Sequence, residues 1–378
     1  MTQTVEIDGT CQEQWLPVRE AFEQNFAAAL EDGASLCITH EGGNVLDLWG
    51  GYRTHTTEHP WQEDTIVNVA STTKIMTTLC TLIQVDRGLL DLDEKVSTYW
   101  PEFAQGGKES ATLRHVLTHC AGVPGLRTPV PNRTLGDWDA VVRLIEKEPA
   151  WWPPGTVACY HAQHFGFILG ELIRRTSGKG PRAFFHDEVA SKIDADFSIG
   201  VRQKPDIGRL AALALKFPAE DDDSTMRPKV FASYSLEPEK PSWETISREN
   251  PSGNGWGNAR SVARVCAVFA NGGTLDGVRL LSPALVDEAA TEQYHGEELF
   301  IGGTIRYGLG FGLHSDEFPS PTPTTFHWGG AGGSWGLMDP ACRVSAGYAM
   351  NRGVEGNPFI DPRQARIWKA LAHVMSGL

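Results

Sequence analysis

The sequence has no Cys-x-x-Cys pair and no His-Glu-x-x-His run, so two common routes to a metal centre leave no trace in it. Its seven cysteines (Cys11, Cys37, Cys80, Cys120, Cys159, Cys266 and Cys342) are odd in number and widely scattered, a pattern expected of reduced thiols. Positive charge is also scarce. Against 47 Asp and Glu stand only 33 Lys and Arg, a formal net charge of −14, which argues against nucleic acid or an anionic membrane surface as a partner. The first thirty residues carry Asp, Glu and Gln throughout with no continuous apolar segment, so no signal peptide or membrane anchor is expected, and cytoplasmic residence follows as an expectation. The acidic run Glu220-Asp221-Asp222-Asp223 reads as a solvated loop, because four adjacent carboxylates cannot converge on one ion. No metal, no cofactor, no internal repeat and no low-complexity tract is expected.

What is present is enough apolar material for a large core: 41% of the 378 residues are hydrophobic and 9% aromatic. Residues 12–31 place Trp15, Leu16, Val18, Phe22, Phe26, Ala29 and Leu30 near a 3.6 spacing and predict an amphipathic helix. A hairpin follows, with Leu36–Thr39 and Val45–Trp49 flanking the turn cluster Glu41-Gly42-Gly43-Asn44. Strand patterns return at Phe326–Trp328, Leu337-Met338 and Ala346–Met350, and a helix is predicted from Arg363 to Met375. Between the ends the pattern is mostly helical, over Thr72–Arg87, Thr112–His119, Trp138–Lys147, His161–Thr176 and Ser261–Asn271. The predicted fold class is α/β, an antiparallel sheet flanked by N- and C-terminal helices with an inserted, mostly helical domain. Residues 1–75 and 300–378 would form the sheet domain and 76–299 the helical one, with a long surface excursion near 218–251 that is rich in charge, Ser and Pro.

One tetrapeptide carries chemistry. Ser71-Thr72-Thr73-Lys74 places a hydroxyl and an amine three residues apart at the start of a helix, where they lie on one face. That helix is apolar nearly all round, through Ile75, Met76, Leu79, Cys80, Leu82 and Ile83, and is expected to be buried. Burial disfavours the ammonium, and only a neutral Lys74 can accept the Ser71 proton. A second candidate, Tyr160, follows the Pro153-Pro154-Gly155-Thr156 loop, and a third segment, His327-Trp328-Gly329-Gly330, lets a backbone N–H approach a ligand closely.

Together these segments resemble the serine β-lactamase and penicillin-recognising fold, closest to the class C-like branch that includes family VIII carboxylesterases. Ser71–Lys74 matches the family's Ser-x-x-Lys, and Leu117-Thr118-His119-Cys120-Ala121-Gly122-Val123 resembles its Leu-Thr-His-x-Ser-Gly-Leu stretch. Pro154-Gly155-Thr156 leading to Tyr160, Gly255-Trp256-Gly257-Asn258-Ala259-Arg260, Tyr307-Gly308-Leu309-Gly310 and His327-Trp328-Gly329 continue the series in order over most of the chain. The resemblance implies Ser71 as nucleophile, Lys74 as base, Tyr160 as proton shuttle, and the backbone N–H groups of Ser71 and Gly330 as oxyanion hole, with His327, Trp328 and Gly329 on the substrate-binding strand.

Two departures favour an esterase over an antibiotic-processing enzyme. Tyr160 is followed by His161-Ala162 where the β-lactamase pattern is Tyr-x-Asn, and Gln163 comes one residue late. His327 stands where those enzymes carry Lys, which replaces a fixed cation by a largely neutral imidazole. The implied function is a serine carboxylesterase that hydrolyses short-chain acyl esters through an acyl-enzyme on Ser71. A β-lactamase, a D-amino-acid peptidase and an acyltransferase share the fold and stay open, as does a non-catalytic binding protein, although a binding module has no need of Ser71, Lys74 and Tyr160 together. The implied partner is a small ester, and oligomeric state is unreadable.

Other motifs are set aside. Gly332-Gly333-Ser334-Trp335-Gly336 fits Gly-x-Ser-x-Gly, but that nucleophile elbow needs a helix after the serine, and Leu337-Met338-Asp339-Pro340 reads as strand and turn. His161 and His164 share a helix face without a carboxylate partner and read as packing residues. His119 is expected to hold backbone near the site, and Trp151, Trp152, Trp328 and Trp335 are candidates to line an apolar pocket.

Overall fold

The two ends of the chain close into one antiparallel sheet, three strands from the N-terminal end and six from the C-terminal end. The structure is a computed structural model, and it describes residues 5–378 apart from 55, 57, 216–223, 238 and 354–360. The N-terminal end supplies β1 (Ile7–Cys11), β2 (Gly33–His40) and β3 (Gly43–Gly51). The C-terminal end supplies β9 (Tyr294–Glu297), β10 (Thr304–Tyr307), β11 (Gly312–Leu313), β12 (Phe326–Gly329), β13 (Trp335–Asp339) and β14 (Val344–Met350). The nine strands run in the order β1-β3-β2-β14-β13-β12-β11-β10-β9, with β14 joining the two ends through pairs such as Leu36↔Tyr348. Three short strands, β4 (Val67–Asn68), β5 (Phe197–Ile199) and β6 (Gly255–Gly257), form a second sheet in the order β4-β6-β5, and β7 (Thr274–Leu275) pairs with β8 (Val278–Arg279).

The helices in chain order are α1 (Leu16–Ala27), α2 (Thr73–Asp86), α3 (Val96–Tyr99), α4 (Leu113–Leu117), α5 (Trp138–Lys147), α6 (His164–Ser177), α7 (Pro181–Phe185), α8 (Arg227–Ala232), α9 (Trp243–Ile246), α10 (Ala259–Ala270), α11 (Pro283–Ala290) and α12 (Pro362–Met375). On one face of the sheet α1 and α12 pack together, and Trp15, Phe22, Trp368 and Leu371 bury with Leu36, Leu48, Trp335 and Tyr348. On the other face α10 crosses β2, β13 and β14, so this helix of the middle region packs on the sheet itself. Helices α2, α5 and α6 and the smaller ones around them form a second, larger core.

All seven cysteines are unpaired, as their scatter predicts. No helix among the described residues is long and apolar enough to cross a membrane. The described part of the 218–251 excursion holds α8 and α9, with Phe231 and Leu236 exposed, whereas the run 220–223 lies outside the described residues.

Candidate active site

The nucleophile segment is built by a kink before a buried helix. Asn68 ends β4, and its side-chain oxygen accepts the Ala70 N–H at 2.9 Å. Ala70 then takes φ +45°, a left-handed conformation uncommon for a residue with a Cβ. Ala70–Thr72 forms a 3₁₀ turn, and Thr73 opens α2 while its hydroxyl donates to Ala70 O at 2.5 Å and accepts the Gly255 N–H at 2.8 Å. The turn leaves Ser71 half-buried, whereas α2 from Thr73 to Gln84 is buried on every side.

Lys74 is 0% exposed, and burial alone holds its amine well below the ordinary lysine range. Its Nζ lies 3.3 Å from Ser71 Oγ and 2.8 Å from each of two carbonyls, Ala162 O and Ser252 O. A neutral amine has two hydrogens and one lone pair. With both hydrogens given to the carbonyls, the lone pair is left for the Ser71 hydroxyl, so the geometry orients the base as well as placing it.

Tyr160 completes the group. Its ring sits 4.7 Å from Lys74 Nζ, and Ser71 and Trp328 lie beside the phenol. Burial raises the phenol well above the ordinary tyrosine range, and it outweighs the two neighbours, which favour ionisation. The phenol therefore carries its proton until another group needs it.

The backbone on both sides of Tyr160 is pinned. Cys159 N donates to His119 O at 3.0 Å, and His161 N donates to His119 Nδ1 at 3.2 Å. His119 therefore carries its proton on Nε2, and burial holds the ring neutral, so it braces the loop as expected and is not poised as a base. Tyr160 N itself donates to Glu298 Oε1 at 2.5 Å. Glu298 is 1% exposed; its other oxygen accepts the N–H of Phe300 at 3.0 Å and that of Ile301. Burial raises its carboxyl to about 7 although three backbone donors pull the other way. No sequence motif flags Glu298, because a carboxylate that serves backbone N–H groups needs only to follow a strand near the right loop.

The third segment corrects two expectations. Side chains alternate along β12, and it is Trp328 that points toward the site, with its ring 5.7 Å from Tyr160 and 5.3 Å from His119. The His327 ring packs 4.7 Å from Trp368 of α12, on the opposite face, and burial lowers it to about 4. His327 is thus not brought to the site, and an indole occupies the strand position where a cation was at issue. The Gly330 N–H, implied as an oxyanion donor, is given to Ser334 O at 2.8 Å. The N–H groups of Ser71 and Ala331 take no acceptor among the described residues. Gly330 serves by close approach, since a Cβ there would lie 3.0 Å from Ser71 N and collide with Val69 O. Gly329 ends β12, exposed.

Ser334 is 1% exposed, donates to Val69 O at 2.7 Å and bonds the Thr72 hydroxyl at 3.0 Å; no helix follows it. It stitches the β12–β13 turn to the nucleophile turn. His161 and His164 hold Cys159 O at 2.7 Å and Val123 O at 2.9 Å, as packing residues do. The Gln163 side-chain oxygen accepts from Asn250 at 2.9 Å, so that oxygen is committed within the protein. Of the tryptophans, Trp335 lies in the core under α12, and Trp151 bonds Glu148 at 2.9 Å.

With this geometry in place, comparison with known proteins is decisive. The family model described as Beta-lactamase matches residues 22–367. The chain belongs to the β-lactamase family. It is 31% identical over 368 residues to the esterase/β-lactamase LipL of Mycobacterium tuberculosis, covering 92% of this chain and 83% of that protein. A family VIII carboxylesterase crystal structure superposes with a TM-score of 0.88 at 35% identity, covering 98% of this chain and all of the other. A penicillin-binding protein homologue from Caulobacter crescentus gives 0.90 at 33% identity, with the same coverage. The protein is a serine hydrolase of the carboxylesterase branch of this family, and the antiparallel sheet with terminal helices and a helical insertion is the family's fold.

Proposed function

We propose that the protein hydrolyses short-chain acyl esters through a covalent acyl-enzyme on Ser71. The observation that carries this reading is the contact of Ser71 Oγ with a buried amine whose two other partners are carbonyls. Neutral Lys74 takes the Ser71 proton as Oγ attacks the ester carbonyl, and the oxyanion is met by the N–H groups of Ser71 and Ala331. Tyr160 gives its proton to the leaving alkoxide and regains one through Lys74, and the same pair then activates the water that cleaves the acyl-enzyme.

The lining supports an uncharged substrate. Trp328, Phe300 and Tyr307 surround Tyr160 and His119, and Lys74 has no hydrogen left for a substrate carboxylate when neutral. The Gln163 side-chain oxygen is bonded to Asn250 and is not available to accept from an acylamino N–H, which counts against β-lactams and peptides.

The test compares wild type and Ser71→Ala on p-nitrophenyl butyrate, with a chromogenic cephalosporin alongside. Ester turnover lost in the variant and negligible cephalosporin turnover in both is the expected result. Unchanged ester turnover in Ser71→Ala would remove Ser71 as nucleophile, and dominant cephalosporin turnover in wild type would make the protein a β-lactamase.

A further inference from the structure

Behind the β12–β13 turn lies a cluster of buried charges that the chemistry above does not use. Arg363, in the first turn of α12, is 0% exposed, as is its ion-pair partner Glu31 at the side chain, and Asp361 is nearly so. The guanidinium is fully engaged: Nε and Nη2 meet Asp361 at 3.0 and 2.7 Å, and Nη1 meets Glu31 at 3.1 Å and Arg352 O at 2.6 Å. Its remaining bond leaves the cluster. Nη2 donates to Gly332 O at 2.6 Å, in the turn that follows β12.

That turn, Gly329-Gly330-Ala331-Gly332-Gly333, has four glycines in five residues, and Gly332 and Gly333 take φ +95° and +114°. Within the turn one bond closes it, Gly333 N to Gly330 O at 3.0 Å, and with so many glycines the rest of its shape depends on outside contacts. Its stem is fixed from the nucleophile side by Gly330 N to Ser334 O and by the Ser334 hydroxyl on Val69 O. Its tip is fixed from the α12 side by Arg363, and a Cβ on Gly333 would collide with Arg363 Nη2 and Asp361 Oδ2, so turn and ion pair are in direct contact. Ala331, whose N–H is uncommitted, sits between the two anchors. A buried guanidinium is a costly way to fill space, and an apolar side chain would pack α12 as well.

We propose that Arg363 is a positioning residue for the oxyanion hole, holding the glycine turn through Gly332 O so that the Ala331 N–H stays where the transition-state oxyanion forms. This rests on the acyl-enzyme reading of Ser71. The interaction is made with the turn, not with the substrate, so its loss lowers kcat while KM stays nearly fixed.

The experiment uses Arg363→Lys and Arg363→Met, with Glu31→Gln as the variant that weakens the ion cluster but keeps the bond to Gly332. On p-nitrophenyl butyrate, kcat falls about 10- to 100-fold in both Arg363 variants with KM within about threefold, and the rate of Ser71 labelling by a phosphonate probe falls in parallel. Glu31→Gln lowers the melting temperature and leaves kcat within about twofold. Should Arg363→Met fail to fold, Arg363→Lys, which keeps the charge but not the fork, gives the same reading. Wild-type kcat in a folded Arg363 variant, or an equal kcat loss in Glu31→Gln, overturns the proposal. Turnover retained in Ser71→Ala would instead overturn the acyl-enzyme reading, so the two failures are distinct.

Discussion

Glu298→Gln tests whether Tyr160 is held in place by a carboxylate that never touches substrate. The wild-type side chain accepts three backbone N–H groups, Tyr160 on one oxygen and Phe300 and Ile301 on the other. Glutamine has one acceptor oxygen. If that oxygen keeps Phe300 and Ile301, its NH2 faces the Tyr160 N–H, which loses a charge-assisted bond and leaves two buried donors opposed. At roughly 1–3 kcal/mol per buried unsatisfied group, the variant loses about 2–6 kcal/mol of stability. The Tyr160 loop moves away from the opposed donor, and a displacement of about 1 Å in a proton donor costs on the order of 10²-fold in rate.

The pH dependence separates this from a purely structural role. Burial raises the Glu298 carboxyl to about 7, above the unfolded carboxylate value of 4.5. Its contribution to stability is therefore fully present below about pH 4.5 and is lost as the pH rises through about 7, a change of about 3 kcal/mol. Activity changes in the opposite sense, because only the ionised carboxylate accepts all three N–H groups. Steady-state turnover of p-nitrophenyl butyrate and urea unfolding, each followed from pH 5 to 9, give the two curves. Wild type gains kcat and loses stability across the same window; Glu298→Gln loses the stability trend and the Glu298 part of the kcat rise, keeping only the part set by Lys74. A variant that is destabilised but keeps wild-type kcat and its pH profile would refute the reasoning.

Further outcomes follow from the same contacts. Lys74→Ala should lower kcat by about 10²–10⁴-fold with the fold retained, and in Glu298→Gln the remaining rise of activity with pH reports Lys74 deprotonation, at a pH below the ordinary lysine range. Ser334→Ala removes bonds to Val69 O and Thr72 but keeps the backbone bond from Gly330 N to Ser334 O, so it should cost about 1–2 kcal/mol in urea unfolding and lower kcat by less than about 10-fold; abolished turnover in a folded variant would return Ser334 to the chemistry. Gly330→Ala sets a methyl against Val69 O and the Ser71 turn and should lower kcat at least about 10²-fold, read by phosphonate labelling as well as turnover. His327, lowered by burial to about 4, contributes stability that is present above about pH 6.5 and lost as the pH falls toward 4, so His327→Leu should flatten the acid slope of the urea midpoint by up to one proton.

The parts of the fold legible in the sequence are those where local pattern and tertiary demand agree. Trp138–Lys147 is α5 to the residue, since its apolar stripe and the Asp137 cap act together. The predicted 12–31 helix shortens to Leu16–Ala27 because Glu13–Trp15 forms a 3₁₀ turn, and β1, β9, β10 and β11 were not legible, being short strands held mainly by their neighbours. At the site, Ser71 with Lys74 is local to one helix turn, so spacing alone brings them together. The third segment fails by one residue for a physical reason. Strand side chains alternate, so a one-position slip exchanges His327 for Trp328 on the site face and commits Gly330 N to the hairpin. Glu298, Ser252 and Arg363 act through backbone groups, and a carbonyl or N–H has no signature in the residue that carries it.

The same distinction separates how the nucleophile is placed from how its base is oriented. Ser71 and Lys74 are fixed by helix geometry, but what orients the buried Lys74 amine toward Ser71 is supplied from afar: Ala162 O two residues beyond Tyr160, and Ser252 O at the close of the 218–251 excursion. Ser252 is locked in turn, its N–H on Asn250 at 3.0 Å and its hydroxyl bonding both Gly166 N, at 2.7 Å, and Gln163 O. Asn250 also bonds Gln163, so one polar knot joins the Tyr160 loop, the start of α6 and the segment after the excursion. Loosening any strand of the knot frees an N–H of the amine from its carbonyl and turns the lone pair away from Ser71. Asn250→Ala, which touches neither Ser71 nor Lys74, should therefore lower the rate of phosphonate labelling most below the Lys74 pKa, where orientation and protonation compete. A labelling rate equal to wild type at every pH would mean that the two carbonyls hold Lys74 without help from the knot.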